Sequence, residues 1–241
     1  MGIKYPVNEK FFDTWTSEMA YVLGFLFADG SLENAPYVRG KYVRVTSTDE
    51  DRVQVIKKLL NSSHTIVKTE KGGNRKPRYL LRIGSRSLYE RLVILGVTPR
   101  KSFTMTFPHV PPECLSGFVR GYFDGDGCVN ISHNYQGKSR LFTIFTSGSR
   151  AFLESLHCRL QATANVTGST LHSHASTPGT FQLRYFARDS IRLFELMYPV
   201  GIPHDLLMQR KYAIFMRYFD EIQAQPLRRM SKYIPTGHMA K

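Results

Sequence analysis

Apolar residues along the chain follow two spacings. In several short runs apolar and polar positions alternate, which is typical of strands with one buried face. Elsewhere apolar residues recur every three to four positions, which is typical of amphipathic helices. After Val45-Thr46-Ser47 the pattern changes from the first spacing to the second, with apolar residues at Val53, Ile56 and Leu60. This change predicts a strand, a cap and then a helix.

The same pattern occurs a second time, 100 positions later. Phe145-Thr146-Ser147 is followed by Leu153, Leu156 and Leu160. Other segments repeat in the same order: Tyr79–Arg82 with Phe181–Arg184, and Gly96-Val97 leading to Arg100-Lys101 with Gly201-Ile202 leading to Arg210-Lys211. A duplicated unit is strong evidence about architecture.

Each unit reads helix, two strands, helix, two strands, helix. The fold class predicted is therefore α+β, with two αββαββα repeats and antiparallel sheets. Phe107–Pro112 interrupts regular structure and marks the boundary, so the first repeat is predicted at 1–107 and the second at 108–225. Residues 226–241, which include Arg228, Arg229 and Lys232, are read as a basic C-terminal tail.

A fourth repeated segment carries the candidate chemistry. Gly24–Gly30 and Gly121–Gly127 both read Gly-x4-Asp-Gly and both end an apolar helical stretch. A single Asp-Gly after a helix is ordinarily a turn signal. However, a carboxylate in the last helical turn faces the negative end of the helix dipole, which is unfavourable. Two such carboxylates at matched places indicate a bound cation.

Small residues predict how the two carboxylates meet. Gly24 and Ala28 lie on one face of the first helix, and Gly121 and Gly125 lie on one face of the second. Such faces are compatible with ordinary core packing and also let two helix backbones approach closely. If the helices pair, Asp29 and Asp126 come together. Carboxylates completed by water and phosphate oxygens are how proteins usually bind Mg²⁺.

The overall charge points to a polyanionic partner. The 241 residues contain 33 Lys and Arg against 19 Asp and Glu, a net charge of +14. A solvated basic surface is the alternative reading. The chain lacks a run of eighteen apolar residues and a targeting segment at its start, and its three cysteines suggest neither disulfides nor a zinc cluster. An intracellular location is expected, in the cytoplasm or nucleoid or in an organelle that encodes the chain.

Both Asp-Gly segments resemble the LAGLIDADG motif, at Val22–Gly30 and Val119–Gly127, and the resemblance extends through about Asp220. Two copies with matching strands and helices between them make the resemblance to LAGLIDADG homing endonucleases specific. It implies that the motif helices pair across a pseudo-twofold axis beneath two saddle-shaped sheets. It also implies that Asp29 and Asp126 bind divalent metal, assisted by the carbonyls of Ala28 and Gly125.

One motif position departs from the family pattern. The family has an earlier Asp in each motif, and this chain keeps it as Asp124 but has Phe27 in the first copy. The position resembles a structural cap more than a catalytic group, so Phe27 is not taken as a loss of activity.

Two lysines in the matched Arg-Lys steps are candidate active-site groups. Lys101 and Lys211 resemble the basic active-site residues of the family, where a lysine organises water or offsets developing charge. Binding to flanking phosphates is an equally good reading.

DNA sequence would be read by the sheets, since a two-stranded ribbon fits the major groove. Alternation puts Arg78, Leu80 and Arg82 on one face of a strand and Tyr79, Leu81 and Ile83 on the other. A solvated sheet face would look similar. The candidate DNA contacts are Arg39, Lys41, Arg44, Arg78, Arg82, Gln182 and Arg184.

His172 and His174 form a His-x-His pair on one predicted strand face. A third ligand at suitable spacing is lacking, so DNA contact or plain surface is preferred to a metal site.

Together the residues and the resemblance predict a Mg²⁺-dependent endonuclease, with Mn²⁺ able to substitute, that cuts double-stranded DNA at a long asymmetric site as a monomer. An RNA maturase that binds intron RNA and a DNA-binding regulator with the same fold are the alternatives. An intein is disfavoured because the first and last residues lack the groups that splicing needs.

Overall fold

The computed structural model describes residues 5–35, 40–70, 76–99, 103–135, 137–173 and 177–224. The predicted candidates Arg39, Lys101 and His174 and the 226–241 tail lie outside these ranges.

The first repeat has the predicted order of elements. Helix α1 is followed by a β-hairpin, helix α2, a second pair of strands and helix α3. The bounds are α1 Ser17–Asp29, β1 Gly30–Ala35, β2 Gly40–Ser47, α2 Glu50–Leu59, β3 Ile66–Thr69, β4 Arg78–Gly84 and α3 Arg86–Ile94.

The second repeat has the same order and adds one helix. A short 3-10 helix, Pro112–Cys114, precedes α4, and another, His204–Leu206, precedes the added α7. The bounds are α4 Leu115–Asp126, β5 Gly127–His133, β6 Ser139–Ser147, α5 Arg150–Ala164, β7 Ser169–Ser173, β8 Phe181–Phe186, α6 Ala187–Met197 and α7 Gln209–Ala224.

Each repeat forms one four-stranded antiparallel sheet, and the two sheets have matching order. The first is β1-β2-β4-β3 and the second is β5-β6-β8-β7. The predicted α+β class with two αββαββα repeats is therefore confirmed. No helix within the described ranges is long and apolar enough to span a bilayer.

Local capping explains where several helices begin. The Thr16 hydroxyl accepts from the Met19 amide at the start of α1. Ser85 and Ser149 do the same for Leu88 and Phe152 at the starts of α3 and α5. Each of these bonds satisfies a backbone donor that the first helical turn leaves without a partner.

Helices α1 and α4 pack directly against each other along the boundary between the repeats. A Cβ atom on Gly24 would overlap with the backbone of Phe118, and one on Gly121 would overlap with the backbone of Tyr21. Only glycine permits this approach, so the small-residue faces do hold the two helices together as the sequence indicated.

A buried polar cluster lies on one side of this helix pair. The Asp124 carboxylate of α4 accepts a 2.8 Å hydrogen bond from the Tyr21 hydroxyl of α1 and lies 4.0 Å from Arg52 Nη1 of α2. All three side chains are almost fully buried. Burial raises the pKa of Asp124 to about 6, against the opposing effect of the cations near it.

The matched positions on the other side of the helix pair are all phenylalanine. Phe27, Phe118 and Phe152 take the places of Asp124, Tyr21 and Arg52, and the ring centroid of Phe27 lies 5.4 Å from that of Phe118 and 6.0 Å from that of Phe152. Phe27 therefore replaces the earlier Asp of the family motif together with two other changes, and the three phenylalanines form an aromatic cluster where the other side has a polar one. Asp124 is structural, as expected, but the expected helix cap is wrong: the carboxylate bridges the two repeats.

Candidate active site and nucleic-acid interface

Asp29 and Asp126 are the last residues of the two paired helices. The glycine after each has extended backbone, with φ of −94° at Gly30 and −92° at Gly127. Glycine is therefore not needed here for a left-handed turn, which is the usual reason for Asp-Gly. It is needed for space, because a Cβ atom on Gly30 would lie 2.5 Å from the Leu26 carbonyl oxygen and one on Gly127 would overlap with Phe123.

The structure brings the two helix ends to one place. A Cβ atom on Gly125 would overlap with that of Ala28 and would lie 3.6 Å from Asp29 Oδ2. The pKa of the Tyr122 hydroxyl is raised mainly by burial, and the negative charges of Asp126 and Asp29 raise it further. The ends of the two helices therefore lie side by side.

A cavity of about 540 Å³ opens beside this helix end. Ala28, Asp29 and Gly125 line it at the helix ends, and Asp126 is not among the lining residues. Three arginines from both repeats face them, namely Arg44, Arg78 and Arg210. The remaining lining residues are Gly30, Ser31, Thr46, Ser47, Thr48 and Asp49.

The donor set at the helix ends fits a hard divalent cation. It offers carboxylate oxygens, with the carbonyls of Ala28 and Gly125 beside them, and oxygen donors are those that Mg²⁺ and Mn²⁺ prefer. Within the described ranges there is no group of three or more His, Cys, Asp or Glu that could form an all-protein metal site. A cation held here would thus keep positions for water or a phosphate oxygen.

Lys211 does not reach the cavity. Its side chain is almost fully buried at the end of α4, where the ammonium donates to the carbonyl oxygens of Phe123 at 2.5 Å, Asp124 at 2.9 Å and Gly127 at 2.6 Å. Burial lowers its pKa to about 8. Both proposed roles, at the reacting phosphate and at flanking phosphates, are incompatible with this position, because all of its donors are used on backbone inside the protein.

The neighbouring Arg210 occupies the place that the sequence assigned to the lysine. Its guanidinium lines the cavity and donates two 2.8 Å hydrogen bonds to Asp49, which precedes α2 of the other repeat. The Arg210 hydrogen bonds lower the pKa of Asp49. The Arg-Lys step was visible in the sequence, and in the structure its arginine lines the cavity whereas its lysine is buried.

Outer faces of the two sheets

Three of the predicted DNA contacts in the first repeat lie on the sheet face opposite the helices. Arg78, Leu80 and Arg82 alternate with more buried residues along β4, and Arg44 lies directly across from Arg82 on β2. Arg82 donates to Glu33 through Nε at 3.1 Å and Nη2 at 2.8 Å, and its guanidinium lies 3.5 Å from the Tyr42 ring centroid.

Lys41 lies on the other face. In β2 it shares the orientation of the buried Val43 and Val45, and its ammonium pairs with Glu90 of α3 at 3.4 Å and lies over the Tyr89 ring. The prediction that Lys41 contacts DNA beside Arg44 is therefore wrong, because residues three apart on a strand point to opposite faces.

In the second repeat Gln182 and Arg184 share the outer face of β8, as predicted. Arg184 Nε is buried and has no hydrogen-bond partner in the part of the chain that the structure describes. His172 on β7 lies directly across from Gln182. Phe142 and Phe186 form a cross-strand pair on the same face, a feature that the sequence reading did not single out.

Comparison with known proteins supports this fold. A family model described as a LAGLIDADG-like domain matches residues 16–95 and again 113–196. The homing endonuclease I-DmoI in complex with DNA and Mn has a TM-score of 0.52 at 20% identity over 81% of this chain and all of that one. I-LtrWI bound to target DNA has a TM-score of 0.53 at 13% identity, covering 90% of this chain and 92% of that one.

Two other matches differ in character. The N-terminal LAGLIDADG domain of DUF199/WhiA has a TM-score of 0.50 at 16% identity, covering 83% of this chain and 92% of that one. A probable translation initiation factor IF-2 from Methanocaldococcus jannaschii is 29% identical over 162 residues, which are 64% of this chain. The chain spans only 12% of that much longer relative.

Proposed function

This chain belongs to the family of LAGLIDADG-like domains, and from that membership we propose that it is a site-specific endonuclease of double-stranded DNA. The observation that carries the proposal is the junction of α1 and α4, where Asp29 and Asp126 end two paired helices and Asp29 lines a cavity together with three arginines. Carboxylates that can hold a divalent cation, beside cationic side chains that stabilise negative charge, are suited to hydrolysis of a phosphodiester.

Asp29 and Asp126 would hold the divalent cation, with the carbonyls of Ala28 and Gly125 beside them. When bound, Mg²⁺ or Mn²⁺ supplies charge stabilisation of the phosphate and a more acidic water. Arg44, Arg78 and Arg210 line the same cavity and offset negative charge on the scissile phosphate. Fixed donors of this kind need no reorganisation as charge develops.

The outer sheet faces would read the base sequence. Arg82 in the first repeat, and Gln182 and Arg184 in the second, have side chains suited to bidentate contacts with guanine and adenine. Because the faces differ between the repeats, the target is asymmetric. One chain carries both halves of the site, so we propose that the enzyme works as a 27.6 kDa monomer.

The test is cleavage of a pool of random DNA duplexes by the whole chain, with Mg²⁺ or Mn²⁺, followed by sequencing of the ends produced. Recurrent ends that disappear in EDTA and in Asp29→Asn or Asp126→Asn would support the proposal. Asp220→Asn is the control, since this exposed residue lies on α7 and is not among those lining the cavity. Unchanged cutting in both site variants would contradict the assignment of the site.

A DNA-binding regulator is the second candidate, favoured by the fold shared with the WhiA domain. In that case the same duplex pool would yield a selected sequence by binding and no cut ends with any metal. A maturase would instead bind intron RNA more tightly than any duplex in the pool.

A further inference from the structure

The two outer sheet faces differ at one matched row of residues. In the first sheet this row is Glu33, Tyr42 and Gly84, joined across β1, β2 and β4. In the second sheet it is Asn130, Phe142 and Phe186, joined across β5, β6 and β8. The two rows correspond in position. Glu33 lies three residues after Gly30 on β1, and Asn130 lies three residues after Gly127 on β5.

In the first sheet a charged group covers this row. The Arg82 guanidinium lies over the Tyr42 ring and is held by Glu33. The first sheet therefore presents at this row the guanidinium group of Arg82, and arginine is a side chain that recognises guanine.

In the second sheet two of the three residues in the row are phenylalanines. Phe142 and Phe186 meet at a centroid distance of 5.5 Å and an interplanar angle of 70°, and Phe186 is 45% exposed. Asn130 replaces Glu33, and the buried Ile144 replaces Arg44 in the neighbouring row. An exposed aromatic edge on a face otherwise suited to DNA can contact an apolar group of a base.

We propose that the Phe142–Phe186 pair is a subsite for the 5-methyl group of thymine. The inference rests on the proposed function, because it takes the outer face as the surface that enters the major groove. Among the base edges in that groove, the thymine methyl is the apolar feature, and phenylalanine is one of the side chains that contact it. The half-site bound by the second repeat would then carry thymine where the matched step of the first half is read by Arg82.

The experiment compares thymine with deoxyuridine in the selected target, because this change removes only the methyl group. Each thymine is replaced in turn, and the dissociation constant of the whole chain is measured in EDTA so that the duplex stays intact. We expect one or two replacements, confined to one half of the site, to weaken binding about fourfold each, as loss of a buried methyl implies.

Protein variants connect that loss to the subsite. In Phe186→Ala the same duplexes should bind equally with thymine or deoxyuridine, whereas Phe186→Leu should keep part of the preference. The control is Ile94→Ala, which removes an exposed apolar side chain from α3 on the helix side of the first repeat. Arg82→Ala should change the preferred bases only in the opposite half.

Two outcomes would overturn the inference, and they are distinguishable. If a target is selected but deoxyuridine has no effect, or its effect persists in Phe186→Ala, the subsite is wrong and the DNA specificity stands. If no duplex sequence is selected by binding or by cutting, the proposed function fails and the subsite fails with it.

Discussion

The Tyr21 hydroxyl of the first repeat donates a 2.8 Å hydrogen bond to the Asp124 carboxylate of the second. Arg52 completes the contact, with Nη1 3.3 Å from the Tyr21 oxygen and 4.0 Å from the carboxylate. On the opposite side of the same helix pair the three equivalent positions are phenylalanines. The two repeats thus contact each other through polar side chains on one side of the helix pair and through aromatic side chains on the other.

This pairing predicts which replacements the interface tolerates. Asp124→Phe alone should destabilise the protein by about 3 to 5 kcal/mol, because it leaves the buried Tyr21 hydroxyl and Arg52 Nη1 without the carboxylate that they share, and Arg52 keeps only the carboxylate of Asp51. Adding Tyr21→Phe and Arg52→Phe should restore most of the loss, since well-packed apolar residues often replace a buried ion pair without cost. Urea unfolding of the single and triple variants measures both effects. A triple variant no more stable than Asp124→Phe would contradict the prediction.

The close approach of α1 and α4 makes their glycines essential. Gly24→Ala and Gly121→Ala should each cost about 3 kcal/mol or more in free energy of unfolding, because the added carbon overlaps with backbone that cannot move aside. Gly168→Ala is the matched control, since its Cβ atom would lie 3.8 Å from the nearest atom, Asp189 Oδ2. Equal melting temperatures for all three variants would show that the helices can separate.

Replacing Lys211 should mainly lower the stability of the protein, whereas replacing Arg210 should mainly lower its DNA cleavage. Lys211→Met leaves three buried carbonyls without their donor and should lower the free energy of unfolding by about 3 kcal/mol or more. Arg210→Ala removes a half-exposed ion pair worth about 1 kcal/mol at most. It should nevertheless reduce DNA cleavage at low salt. Unfolding curves and cleavage rates on the same preparations decide, and the reverse pattern would restore the lysine to the active site.

Glu33 should set how strongly the first sheet discriminates between DNA sequences. Glu33→Ala removes a negative charge from the face and releases Arg82 from its two hydrogen bonds. Affinity for unrelated DNA should rise because the face is more positive, while the preference for the target falls. Anisotropy titrations with target and scrambled duplexes over a range of salt measure both. A preference that stays the same would show that Glu33 does not position Arg82.

His64 should make stability depend on pH. Its Nε2 accepts from the Gly84 amide at 3.3 Å, and burial lowers the pKa of the ring from 6.5. A base whose folded-state pKa is lowered contributes stability that is present above the unfolded value and lost as the pH falls. The wild type should therefore lose stability below pH 6.5 relative to His64→Gln, when both are followed by urea unfolding. Parallel curves would contradict this.

The architecture was accessible from sequence because duplication repeats a pattern. The matched Gly-x4-Asp-Gly segments located both central helices, and the change of spacing after Ser47 and Ser147 located a strand and a helix in each repeat. Alternation also gave the outer face of β4 correctly. Those inferences need only local periodicity, which the chain carries twice.

Side chains that depend on elements distant in sequence were less accessible. Nothing local distinguishes a buried lysine from an exposed one, and Lys211 is buried only because α7 packs beside the end of α4. The partner of Asp124 on α2 of the other repeat is invisible to periodicity for the same reason. Alternation along β2 does predict the orientation of Lys41, because Lys41, Val43 and Val45 are alternate residues and so point to the same, helix-covered face.

The polar cluster and its phenylalanine counterpart make each half complementary to the other half and not to a second copy of itself. Two copies of the first half would set Tyr21 and Arg52 against Phe27, so the Tyr21 hydroxyl would lose its acceptor and Arg52 would keep only the carboxylate of Asp51. Two copies of the second would set Asp124 against Phe118 and Phe152, so the buried carboxylate would lose Tyr21 and Arg52 as partners. A symmetric dimer of either half would therefore be less stable at this interface than the chain that carries both.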